Sequence, residues 1–185
     1  MIRSPGQILA AGMVIKLVDS GYDDSPSSPI ATGSWPVDSC FCLMQPSCFP
    51  SGTVGGYYTW DGSQIVFAAW PGASAPWSAE GGVHWQIFEV QNLADIIKRV
   101  AGNVTLTTAS GYANYDYDLA AAGKSVGDYN KAMVLPQSFG YALVTGYTKG
   151  HHERLIDNNT LRRRHYQVSG AIGNVYHSTV IVPLD

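Results

Sequence analysis

Charge is scarce in this chain. Only 14% of its 185 residues are Asp, Glu, Lys or Arg, roughly half the usual share. Its surface therefore meets water through Ser, Thr, Asn, Gln, Gly and Tyr, or is covered by other subunits. Cysteine is scarce too: Cys40, Cys42 and Cys48 are clustered and odd in number. A disulfide-stapled secreted domain carries an even, more dispersed set, so the cluster points to a reducing compartment. No run reaches the roughly 18 apolar residues of a membrane span. The N-terminal segment, interrupted by Pro5, Gly6 and Lys16, makes a poor signal peptide. Fixed-period repeats, coiled-coil heptads and low-complexity tails are missing. With a net charge of −3 and a pI near 5.9, there is no global attraction to nucleic acid or to an anionic membrane.

What the chain has in quantity is 11 Tyr, 5 Trp, 20 Gly and 10 Pro. That make-up favours a turn-rich β domain over a helical bundle. The length suits one domain, 1–185, with a core that requires neither disulfide nor metal. Strands are predicted at 13–18, 83–90, 103–109, 139–148 and 174–184. A hairpin over 54–70 turns at Asp61-Gly62, a pair suited to a type I′ turn. Long loops are expected at 19–36 and 71–82. The best helix is 92–101: Asn92 caps it, Leu93, Ile96, Ile97 and Val100 share a face, Lys98 and Arg99 complement its dipole, and Gly102 stops it. A second short helix is read at 117–123. The expectation is a mainly-β sandwich or barrel of six to eight strands with one or two short helices.

The basic residues concentrate in one place. KGHHERLIDNNTLRRRH, residues 149–165, sets Lys149, Arg154, Arg162, Arg163 and Arg164 against Glu153 and Asp157 on an otherwise acidic chain. Asp157-Asn158-Asn159-Thr160 tolerates a tight turn, so a hairpin is expected over 149–168. Arg162 and Arg164 fall on one face, and Arg163 and His165 on the other. With neither face apolar, the hairpin is expected to project from the body as a contact arm. Its interface residues are Lys149, His151, Arg154, Arg162, Arg163, Arg164 and His165. Arg is the preferred partner of carboxylates at interfaces. Nucleic-acid phosphates are the second possible target, but local aromatics to stack bases are missing apart from Tyr166.

Four constellations bear on chemistry. The order Cys40 or Cys42 followed by His84 resembles the NlpC-type and amidase-type cell-wall peptidases on those two residues alone. Pro46 and Pro50 forbid the helix that would lower the thiol pKa, so small buried or loop cysteines are the plainer reading. The Cys spacing lacks a paired zinc knuckle, and His151 and His152 would point to opposite faces of a strand, so no metal is expected. Gly123-Lys124-Ser125 lacks the earlier glycine of a P-loop. Tyr57, Trp60, Trp77, Tyr115 and Tyr117, with Asp116 and Asp118 nearby, are candidates for a glycan platform. No cofactor is implied.

Low charge, many aromatics, long loops and one basic hairpin resemble, in style, the small structural proteins of tailed-bacteriophage virions: capsid decoration, neck and tail components. That resemblance implies a non-enzymatic virion protein made in the host cytoplasm, not exported by a signal peptide. Its partners would be its own copies and other virion proteins, with nucleic acid a lesser candidate and no membrane. The alternatives are a carbohydrate-binding β domain for host recognition and, third, a Cys-His hydrolase.

Overall fold

The computed structural model describes residues 13–23, 29–47, 53–69, 82–91, 96–106, 111–142, 148–167 and 173–184. Among them are thirteen strands: β1 (Val14–Asp23), β2 (Ile30–Ala31), β3 (Cys40–Ser47), β4 (Thr53–Trp60), β5 (Gln64–Ala69), β6 (Gly82–Gln91), β7 (Lys98–Leu106), β8 (Gly111–Asp118), β9 (Ala132–Pro136), β10 (Ser138–Ala142), β11 (Thr148–Asp157), β12 (Thr160–Gln167) and β13 (Gly173–Pro183). One 3-10 turn, Tyr129–Lys131, interrupts them. The strands make four open antiparallel sheets, ordered β1-β6-β3, β10-β4-β5-β2, β11-β12-β8 and β7-β13-β9. No helix among the described residues is long and apolar enough to cross a membrane.

This corrects the expected sandwich or barrel of six to eight strands with short helices. Residues 98–106, the first four of which the helical periodicity claimed, form β7, and Gly102 lies inside it opposite His177. β7 pairs along nine residues with β13, and this long-range ladder overrides a local periodicity that fits a helix equally well. Residues 92–95 lie outside the described residues. The short helix at 117–123 is instead the end of β8 followed by turns. β1 extends to Asp23, so the loop expected from residue 19 begins later and contains β2, whereas 71–81 lie outside the described residues. The hairpin at 54–70 forms. Its turn sits one residue beyond Asp61-Gly62: Trp60 pairs with Ile65, Asp61 N donates to Gln64 O at 3.2 Å around Gly62-Ser63, Gly62 has φ 102°, and the Asp61 carboxylate accepts the Ser63 and Gln64 amides at 2.9 Å.

Shared apolar clusters join the sheets. On β6, Val83, Trp85 and Ile87 point one way and pack with Cys42, Tyr58, Trp60 and Ile65, fastening the β1-β6-β3 sheet to β4 and β5. Val90 points the other way and packs with Phe41, Val180 and Val182; Phe88 lies against the same cluster. β13 then turns Ile181 toward Val100, Leu119, Leu155 and Leu161, joining the β11-β12-β8 sheet. The Val-Ile-Val run of β13 is thus buried on both faces, as a continuous apolar strand should be.

Candidate functional site

β11 and β12 form the expected hairpin, turning at Asn158-Asn159, with Leu155 opposite Leu161, Glu153 opposite Arg163 and Arg154 opposite Arg162. It does not project. β12 is the middle strand of its sheet, with β8 bonded along its other edge from Thr160–Asp118 to Gln167–Gly111. Strand alternation therefore divides the basic residues between a solvent face and a face against β13. The buried face carries Leu155, Leu161, Arg163 and His165. The expected arm rested on the absence of an apolar face. The structure instead buries polar residues there, because β13 supplies their partners.

Those partners form a connected network. Glu153 Oε1 lies 3.3 Å from Arg163 Nε and 3.0 Å from His177 Nδ1. Its Oε2 accepts the Thr179 hydroxyl. Arg163 Nη2 donates to Thr179 Oγ1 at 3.4 Å, and His177 Nε2 lies 3.0 Å from His165 Nε2. Burial alone would push the Glu153 carboxyl up, but the His177 hydrogen bond, the Arg163 charge and Thr179 hold it below its ordinary value. Burial pulls His177 below the ordinary histidine value in spite of Glu153. A neutral His177 must give its Nδ1–H to the carboxylate, which leaves Nε2 to accept from His165 Nε2–H. The Glu153, Arg163 and His177 side chains are at most 2% exposed. Such a cluster, out of reach of solvent, locks β11 and β12 onto β13. Its ligands run in line and do not converge; among the described residues no group of three or more His, Cys, Asp or Glu is arranged to hold a metal ion.

The solvent face of the same sheet is Tyr and Arg. Arg162 grips Asp116 with two bonds of 2.8 and 2.7 Å, and this bidentate pairing holds the Asp116 carboxyl below its ordinary value. Arg164 lies 4.2 Å from the centroid of the Tyr112 ring, and Tyr112 packs against Tyr166 at 4.9 Å. Tyr112 is 66% exposed, and His152, Arg154 and Arg164 are exposed beside it. Among the expected interface residues, Arg154, Arg162 and Arg164 thus share one face, whereas Arg163 and His165 are sealed beneath it. Lys149 and His151 belong to β11, with side chains outside the described set. Sequence reasoning missed Tyr112 as their neighbour because β8 lies some fifty residues upstream. It also missed Glu153, His177 and Thr179. The signal was present: His177 and Thr179 fall at inward positions in the alternation that begins with Val175.

The other candidates are dispersed. Cys42 pairs with Ile87 on the face of β6 that enters the core, whereas His84 is exposed on the opposite face, so no Cys-His dyad forms. Cys40 and Cys42 are free and buried, and burial pushes the Cys42 thiol up to about 12. Cys48 lies outside the described residues. Trp60 is buried, donates to Thr32 Oγ1 at 3.2 Å, and lies 5.5 Å from the Arg99 guanidinium. That guanidinium, expected in a helix end, braces β3 through the Cys40 carbonyl at 2.6 Å. Tyr57 and Tyr115 pack around Val175, and Tyr117 lies under Arg163 at 5.5 Å. These half-buried rings make no shared exposed platform, and Trp77 lies outside the described residues. Lys124 donates to the Arg99 carbonyl at 2.6 Å. No family model, curated protein or solved structure matches this chain.

Proposed function

We propose that the chain is a non-enzymatic structural component of a virus or phage particle, working by contact with copies of itself and neighbouring virion proteins. The observation that carries this reading is the outer face of the β11-β12-β8 sheet, where Arg154, Arg162 and Arg164 stand with Tyr112 and Tyr166. Tyr and Arg are the residues enriched at interface centres, where they dominate binding. The ion-pair network beneath holds the face rigid, which lowers the entropy lost on docking. On a chain of net charge −3, Arg154 and Arg164, whose charges Asp116 does not take up as it does that of Arg162, have complementary carboxylates in the next copy. Low overall charge and many aromatics suit a protein whose surface is largely covered by neighbours.

The test is mass in solution by light scattering across protein concentration and salt. Association that weakens with salt is expected, and a double Arg154→Ser, Arg164→Ser variant should shift it toward the monomer without changing Tm. A wild-type chain that stays monomeric at low salt and high concentration would overturn the reading. Copurification of nucleic acid lost in the same variant would assign the face to phosphates instead.

A further inference from the structure

β6 sends His84, Gln86, Phe88 and Val90 to one face of its sheet. Phe88 and Val90 lie under the cover of β13 and β9, near Val180, Val182 and Leu135. Toward the start of β6 that cover ends, and His84 and Gln86 stay exposed. The result is an open groove of about 1010 Å³ between the β1-β6-β3 sheet and the β9–β10 junction, at the upper end of the size of small-ligand pockets. Its floor is aromatic: the Tyr22 ring, 53% exposed, lies 4.3 Å from the His84 ring at 30°.

Among the described residues, the lining contains no Asp, Glu, Lys or Arg. Its polar groups are the Ser20 hydroxyl and the amides of Gln45, Gln86 and Gln137 around the Tyr22–His84 pair. Gln137 is only 5% exposed. Its main chain is fixed at both ends, the amide donating to Ser178 O and the carbonyl accepting from Tyr58 N, each at 2.8 Å. Its side-chain Nε2 donates to Leu135 O at 3.2 Å. That bond orients the amide, so Oε1 faces away from Leu135, and it has no partner among the described residues. That oxygen is closed to solvent, so the amides a ligand in the groove can reach are those of the exposed Gln45 and Gln86.

We propose that this groove binds a neutral saccharide. Side-chain amides both donate and accept, which matches neighbouring hydroxyl groups on a sugar ring, and the exposed Tyr22 ring offers a face for its C–H side. A charged ligand would find no Asp, Glu, Lys or Arg counter-charge among the described lining residues, and an apolar one would strand the amides of Gln45 and Gln86. This reaches beyond the assembly reading and stands without it, since the groove and the Tyr-Arg face belong to different sheets.

The experiment is a glycan array of neutral, sialylated and sulfated glycans probed with the whole chain, followed by titration of the best glycan. Isothermal titration calorimetry follows that titration. Neutral glycans should be retained, and Tyr22→Ala and Gln86→Ala should each weaken binding about tenfold or more, the loss of one good contact. Both side chains are exposed, so an unchanged Tm shows that the variants fold. Retention of no neutral glycan by the wild type, preference for acidic glycans, or wild-type affinity in both variants would overturn the proposal.

Discussion

At the residue scale, the Glu153–Arg163 pair shows how alternation and burial can conflict. An ion pair sealed from water is stable only while both members are present. Glu153→Leu leaves the Arg163 charge buried alone and should cost about 3–5 kcal/mol, whereas adding Arg163→Met should recover much of that loss. Urea midpoints of the two variants check this; equal midpoints would contradict the pairing. The pH dependence follows from the same cluster. His177 is depressed in the folded state from its ordinary 6.5, so below that value the unfolded chain takes up a proton that the folded chain refuses. Stability then falls as pH drops below about 6.5. Glu153 is also depressed, from 4.5, so its contribution is present above that value and fades as pH falls further. Thermal melts from neutral to acid pH should show Tm declining over both ranges, with the first decline flattened in His177→Phe.

At the scale of elements, β13 and β1 are opposites. β13 runs between two sheets and buries Val180, Ile181 and Val182 on both faces. β1 is an edge strand with Val14 and Leu17 nearly half exposed. Ile181→Ala should cost about 2–5 kcal/mol, because the cavity would lie between packed sheets, whereas Leu17→Ser should change stability by less than about 0.5 kcal/mol. Chemical denaturation of the two variants compares them directly. The apolar runs at 83–90 and 174–184 and the Asp61-Gly62 and Asp157–Thr160 turns were legible because strand and turn chemistry is local. β7 was not: Leu93, Ile96, Ile97 and Val100 carry a helical spacing, and only pairing with β13 makes residues 98–106 an extended strand.

At the scale of the whole molecule, the two proposed surfaces lie on different sheets and should fail independently. Arg154→Ser with Arg164→Ser should alter mass in light scattering and leave glycan binding intact. Tyr22→Ala should do the reverse, and a variant pair that moves both readouts together would contradict the separation. The chain by itself determined a β-rich, turn-rich body, free of long apolar runs, and the position of its basic hairpin, because composition, turn residues and charge order are properties of neighbours in sequence. Tertiary structure alone decided which arginines face water. Arg162 and Arg164 remain on the surface, and Arg163 between them is buried, because Glu153 from β11, itself held by His177, and Thr179 from β13 meet it. It also decided that Tyr112 completes the outer face and that Gln137 closes a groove against β6. A buried charge is tolerated only where partners far apart in sequence converge, and that convergence exists only once the sheets have packed.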